Sequence, residues 1–215
     1  MLKAVLFDMD GVIIDSEPLH YQAENRLMKT FGFEMTVADL EVYVGMRDPD
    51  MLTQIIKDYN LQISLPDLLS KLLHQKLSLL KEADAYAIDG IVDLIQAISE
   101  QKIQIGLASS SSRIFIEAVL EKLGIASHFH CVISGYEVER GKPDPDIFLK
   151  AASLLGVSPE DCLVIEDSGH GVKAAKAAGM KCIGYQNPNS GNQDLSKADR
   201  IVHSIRDIQL KDWME

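Results

Sequence analysis

Two pairs of carboxylates each follow a short apolar stretch: Asp8 and Asp10 in Asp8-Met9-Asp10-Gly11, and Glu166-Asp167 ahead of Ser168-Gly169. Carboxylates brought together at neighbouring strand ends repel one another unless a cation lies among them. Oxygen ligands in this number suit a hard divalent ion, Mg²⁺ ahead of Ca²⁺, because few protein ligands leave room for water and substrate oxygens. Two further segments suit an anion. Ser109 opens the run Ser109 to Ser112 between an apolar stretch and a helical pattern, where a hydroxyl and nearby N–H groups form an anion site. Lys142, in Arg140-Gly141-Lys142-Pro143-Asp144-Pro145, is held in a loop before a helix that Asp144 and Pro145 begin. Singly, each residue has a plainer reading: Asp8 and Asp10 as turn formers, Glu166 as a charged strand end, Asp167, Ser168 and Ser112 as helix caps, Lys142 as a solvated cation. Their joint placement favours a site.

The elements that must position these groups come in two textures. Runs at Ala4–Phe7, Ile103–Ala108, Cys131–Ser134, Leu163–Ile165 and Cys182–Tyr185, with a weaker one at Ile201–Val202, are rich in Val, Ile, Leu and Cys. Helical patterns lie between them at Gly90–Glu100, Arg113–Leu123, Asp146–Leu155 and Gly171–Ala178. Apolar runs without clean alternation suit strands covered on both faces, and strand–helix repetition implies a parallel sheet with right-handed crossovers. The fold class is therefore α/β, a Rossmann-like parallel sheet, with ligands expected at the carboxyl ends of the strands. Between 16 and 83 the strands vanish. Leu19, Ala23, Leu27 and Phe31 recur at i+4; Met51, Leu52, Ile55, Ile56 and Tyr59 form a second stripe; Leu68, Leu69, Leu72, Leu73, Leu77 and Leu80 form a third. Ser16, Asp48 and Ser64, each before a nearby proline, mark helix starts. We read an all-helical insertion at 16–83 within an α/β core of 1–15 and 84–215.

The chain has 215 residues, a net charge of −11, 47% hydrophobic and 25% charged residues. That composition excludes disorder, and the acidic balance argues against nucleic acid and anionic membranes as partners. No apolar run is long enough to span a bilayer, and Asp8 and Asp10 interrupt the stretch a secretory leader would need. Cys131, Cys162 and Cys182, widely spaced and odd in number, read as reduced, buried thiols, so we expect a cytoplasmic protein. The sequence does not specify an oligomeric state, and a monomer is consistent with it.

Several motifs fall short. DMDG lacks the third acidic position and sixth-place glycine of an EF-hand loop, and GYEVERGK has the wrong glycine spacing and no Ser or Thr after Lys142 for a P-loop. His128, His130 and Cys131 lead into a buried strand without the four-ligand spacing of zinc, and Ser168 lacks the glycine of a nucleophile elbow.

Four ordered motifs, DMDGVIIDSE (Asp8–Glu17), ASSS (Ala108–Ser111), GKPDPDIF (Gly141–Phe148) and VIEDSGHG (Val164–Gly171), together with the helical insertion, resemble the haloacid dehalogenase-like superfamily in its β-phosphoglucomutase-like branch. The resemblance implies a helical cap over the core and a Mg²⁺-dependent phosphatase of small phosphorylated metabolites, such as sugar or polyol phosphates. It implies Asp8 as a nucleophile that forms an aspartyl-phosphate and Asp10 as general acid–base. Mg²⁺ would be held by Asp8, the main-chain carbonyl of Asp10 and Asp167, with Glu166 as a ligand or close partner. Ser109 and Lys142 would hold the phosphoryl group, and His20, Gly45, Arg47 and Ser110 would contact substrate. The chemistry agrees: a carboxylate attacking a phosphate dianion needs cations to offset repulsion. Keeping Asp10 protonated at pH 7 from an ordinary pKa costs about 4 kcal/mol unless its surroundings shift it.

The alternative is a phosphosugar mutase of the β-phosphoglucomutase type, which needs a second phosphate grip and exclusion of water. In mutases of the branch a Lys precedes the insertion's Gly; here Val44 precedes Gly45, and Ser112 stands where a mutase usually has Lys. Arg47 remains as a candidate grip. A catalytically silent binding protein is disfavoured by intact Asp8, Asp10, Lys142 and Asp167.

Overall fold

A computed structural model describes residues 1–83 and 87–214. It comprises strand β1 (Ala4–Phe7); helices α1 (Glu17–Lys29), α2 (Val37–Glu41), α3 (Asp48–Asp58), α4 (Leu65–Glu82) and α5 (Ile91–Glu100); strand β2 (Gln104–Ser109); helix α6 (Arg113–Leu123); strand β3 (Cys131–Ser134); helix α7 (Asp146–Leu155); strand β4 (Cys162–Glu166); helix α8 (Gly169–Ala177); and strands β5 (Lys181–Tyr185) and β6 (Arg200–Val202). All six strands are parallel, in the order β3-β2-β1-β4-β5-β6. The order reverses between β1 and β4, which makes the space beyond their carboxyl ends the topological switch point.

Both faces of the sheet are covered, which is why its strands read as unbroken apolar runs. Val5 and Phe7 join Ile105, Leu107, Leu163 and Ile165 on the face packed by α5 and α6. Ala4 and Leu6 join Val164 and Cys182 on the face packed by α7 and α8. The helices between β1 and α5 continue the first of these clusters: Leu19, Ala23 and Leu27 of α1 and Leu68, Leu72 and Leu79 of α4 are buried in it, beside Met51, Leu52 and Ile55 of α3. Ser64 caps α4 by accepting from Asp67 N, and Ser112 caps α6 from Phe115 N. At Ser16 the outcome differs: it precedes α1 but makes no side-chain cap bond, because its hydroxyl is turned to Asp10. Helix α7 spans Asp146–Leu155 as its pattern predicts, but Pro145 occupies the cap position that Asp144 was expected to fill. The short α2 was not anticipated; in five residues it buries only Leu40, too little for a period. The expected domain boundary at 84 falls outside the described residues.

Candidate active site

The register of β1 against β4 builds the centre of the site. Phe7 pairs with Ile165, and Asp8 N donates to Ile165 O at 3.0 Å, so Asp8 emerges beside Glu166 at the switch point. Lys142, from the loop before α7, reaches both carboxylates. Its Nζ donates to Asp8 Oδ1 and Glu166 Oε1 at 2.5 Å each and to Ala108 O at 3.1 Å. Burial opposes its charge, but those two carboxylates hold the ammonium above its ordinary pKa. Glu166 is fixed further by Ser168, whose N and Oγ each donate to Oε2 at 3.0 Å. A Cβ on Gly171 would fall 1.7 Å from Glu166 Oε1, so only glycine lets the first turn of α8 close over that carboxylate.

Asp8, Glu166 and Asp167 are all buried, and each offers a carboxylate oxygen within 4.8 Å of the others. Three carboxylates against one ammonium leave the cluster anionic. Burial, then repulsion among the carboxylates, pushes Asp8 and Asp167 well above the usual carboxylate range, although Lys142 acts against this at Asp8. Buried oxygens converging with uncompensated charge fit a hard divalent cation. Asp167 Oδ2 also accepts from Ser190 Oγ.

Asp10 stands on the tight loop after β1 and collects donors from two directions. Ser16 Oγ at 2.6 Å and His20 Nε2 at 2.8 Å bond Oδ1; Ser111 Oγ at 2.8 Å and Ser109 Oγ at 3.3 Å bond Oδ2. Burial penalises its anion, yet the His20 charge and these hydrogen bonds hold its carboxyl below the usual range. The pair titrates together: burial and Lys76 lower the His20 pKa, but Asp10 more than compensates and raises it. His20 is therefore buried against Asp10, not turned to solvent. Ser109, expected on the phosphoryl group, directs its hydroxyl to Asp10 and accepts from Ser111 N at 3.0 Å.

Above the carboxylates lies a cavity of about 50 Å³, roofed by α1, α3 and α4 and lined by Asp8, Asp10, Asp167, Ser110 and Gly45, among others. Gly45 has φ +82°, and a Cβ there would meet Ser168 Oγ at 2.6 Å, so the roof touches the core through a glycine. Ser110 Oγ donates to Gly45 O at 2.7 Å, a second tie between the two. Arg47 is placed elsewhere. It does not line the cavity; its guanidinium bonds Asp50 and the carbonyls of Gly135 and Val138 at 3.1 Å and Glu139 at 3.4 Å.

Sheet order and an acidic strand-end site under inserted helices place the chain in the class of Rossmann-like α/β enzymes. Within that class it belongs to the haloacid dehalogenase-like hydrolase family, whose pattern its residues 5–185 match. Beta-phosphoglucomutase of Bacillus subtilis (strain 168) is 32% identical over 98% of this chain and 93% of its own length. A phosphorylated carbohydrates phosphatase of Thermotoga maritima is 31% identical over 96% of this chain and 100% of its own. A solved structure of a CbbY variant from Rhodobacter sphaeroides, in complex with xylulose-(1,5)bisphosphate, superposes with a TM-score of 0.87 at 25% identity, covering 95% of each chain.

Sequence reasoning passed over Ser16 and Ser111 on Asp10, and Glu17, Glu24, Asp48 and Lys76 around the cavity. Two signals were present. Glu17, His20 and Glu24 recur at i, i+3 and i+7 on the buried face of α1, and Lys76 interrupts the leucine stripe of α4. A polar group inside an apolar stripe is either paired or functional. Among the described residues no helix is long and apolar enough to cross a membrane.

Proposed function

We propose that the protein is a Mg²⁺-dependent phosphatase acting on small phosphorylated metabolites, sugar or polyol phosphates, through an aspartyl-phosphate on Asp8. The carrying observation is Asp8 itself, buried at the switch point, bridged by Lys142 to Glu166 and flanked by Asp167. Asp8, Asp167 and the Asp10 main chain would hold Mg²⁺, with Glu166 beside them; the ion supplies charge neutralisation between carboxylate and phosphoryl group. Lys142, bonded to Asp8 Oδ1, would support the same neutralisation.

In this reading an Asp8 carboxylate oxygen attacks phosphorus as the ester oxygen departs. The proton shared by Asp10 and His20 passes through Asp10 to that leaving oxygen. Asp10, now the base, takes a proton from a water that attacks the acyl-phosphate, releasing inorganic phosphate and restoring Asp8. The helical unit at 16–83 acts as a cap. Its cavity is far smaller than the several hundred Å³ typical of a ligand site, so it opens to admit substrate and closes to exclude bulk water.

The mutase alternative needs a second phosphate grip. Arg47, its expected source, is turned to main-chain carbonyls and Asp50, so the phosphatase reading stands first. Purified protein with Mg²⁺ is expected to release phosphate from members of a phosphomonoester panel, and Asp8→Asn to abolish release. No turnover across the panel would overturn the reading; isomer formation from a sugar 1-phosphate without net phosphate release would replace it with the mutase.

A further inference from the structure

The roof of the cavity is built from charged side chains that the reaction above does not use. Lys76 sits on the buried face of α4 and is only 3% exposed. Its Nζ donates to Asp48 Oδ1 at 2.6 Å, and Asp48 Oδ2 also accepts from Tyr136 Oη at 3.2 Å. The ammonium is thus neutralised by a carboxylate that is itself held in place. Glu17 and Glu24, one turn either side of His20 on α1, line the same cavity and are 5% and 7% exposed. Glu24 feels Lys76, His20 and Asp48 through charge alone, with no donor bonded to it. Tyr21 Oη and His20 Nδ1 are buried polar atoms of cavity-lining residues, and among the described residues neither has a partner.

The residues of this wall thus carry carboxyl groups, a phenol and an imidazole nitrogen that lack partners among the described residues, and the Lys76 ammonium is already paired. Buried polar atoms without partners are costly unless a ligand satisfies them. Hydroxyl groups, which both donate and accept, complement such a set. A second phosphate does not: it carries nearly two negative charges and would be desolvated against Glu17, Glu24 and Asp48, with no uncommitted cation to receive it. Arg47, at the start of α3, is bound to the core outside the cavity.

We infer that the roof selects phosphomonoesters whose leaving group is an uncharged polyol or sugar and rejects substrates bearing a second phosphate, with Glu24, Glu17 and the Asp48–Lys76 pair as the discriminating groups. The inference rests on the phosphatase reading and narrows its substrate class. Burial pushes both Glu17 and Glu24 up to about 7, so near neutral pH each can donate to one hydroxyl or accept from another. The fold itself does not forbid bisphosphates, since the Rhodobacter structure holds one; the discrimination belongs to the side chains of this roof.

The test measures kcat/KM for phosphate release, with Mg²⁺, on the best sugar monophosphate of a panel and on the bisphosphate of the same sugar. p-Nitrophenyl phosphate serves as a reference that makes few demands on the roof. The wild-type protein is expected to prefer the monophosphate by tenfold or more, about 1.4 kcal/mol. Glu24→Gln, which removes an ionisable carboxyl at constant shape, and Asp48→Asn, which frees Lys76, are each expected to narrow that preference several-fold when assayed at pH 8. If monophosphates and p-nitrophenyl phosphate turn over but the bisphosphate does equally well, or neither variant moves the ratio, the inference falls and the phosphatase reading stands. If nothing turns over, p-nitrophenyl phosphate included, both fall. Should both variants fail to fold by circular dichroism, the wild-type ratio decides, together with competition by the bisphosphate: inhibition tighter than the monophosphate KM overturns the inference.

Discussion

Asp10 poses the main problem at the scale of single residues, because the general acid proposed there must hold a proton that its surroundings discourage. Three hydroxyls and the His20 ring bond it, the ring on Oδ1. In the proposed mechanism the pair keeps one proton between two groups, so that Asp10 need not be neutral before substrate arrives. Asp10→Asn is expected to lower kcat by about 10²–10⁴-fold, the usual range for losing a general acid–base, as read by steady-state phosphate release. Lys142 gives a second prediction at this scale. Mg²⁺ is expected to raise the Tm of the wild-type protein, because it binds the folded cluster of Asp8, Glu166 and Asp167 and not the unfolded chain. Lys142→Met, which leaves those carboxylates unpaired, should melt lower without metal and gain more from Mg²⁺ than the wild type does. Thermal scans with Mg²⁺ and with chelator check both; a Tm indifferent to Mg²⁺ would argue against the metal site.

Among elements, what matters is how the inserted helices meet the sheet. Arg47, at the N-terminal end of α3, ties the roof to the carbonyls of Gly135, Val138 and Glu139. Arg47→Ala should therefore loosen the proposed closure, lowering kcat/KM by about tenfold while leaving Tm nearly unchanged, since a gating step would lie apart from the core. Comparing kinetics with thermal melting separates this from general destabilisation, which would move both. The elements were largely legible in the sequence for physical reasons. Strands covered on both faces must be apolar throughout, so β1, β2 and β4 announced themselves, and the carboxylates after β1 and β4 were conspicuous by contrast. Lys142 was legible only through its motif, since a loop lysine has no periodicity. The roof was legible only in part: His20 and Gly45, named through the resemblance, line the cavity, whereas Glu17, Glu24 and Lys76 were not foreseen. On α1, Leu19, Ala23 and Leu27 identified the buried face, but that face also carries Glu17, His20 and Glu24, which a hydrophobic pattern does not register. Arg47 was placed in the substrate site by its position in sequence; its hydrogen bonds depend on β3's following loop, distant in the chain.

Over the whole molecule, a net charge of −11 must accommodate an anionic substrate, and the sign is reversed only locally, by Lys142 and the expected cation. The buried carboxyls of the roof carry a cost that pH exposes. A carboxyl raised from 4.5 to about 7 on folding binds protons as the chain folds, so its contribution to stability falls as pH rises through that window and stays lost above it. Glu24→Gln removes this dependence at one site. The variant should melt higher than the wild type at pH 8, by up to about 3 kcal/mol of stability, and the difference should shrink towards zero near pH 4.5. Melting curves across that range test it, and a difference independent of pH would count against the roof as described. Stability given up at a cavity-lining position is the trade-off expected of a functional site.

The most direct test of the account concerns Asp8. Protein quenched in acid during turnover of a phosphomonoester with Mg²⁺, digested and analysed by mass spectrometry, should carry a phosphoryl group on the peptide containing Asp8. Hydroxylamine should remove that group, and Asp8→Asn should show neither the label nor phosphate release. Phosphate release by Asp8→Asn at the wild-type rate, with no label on that peptide, would contradict the account.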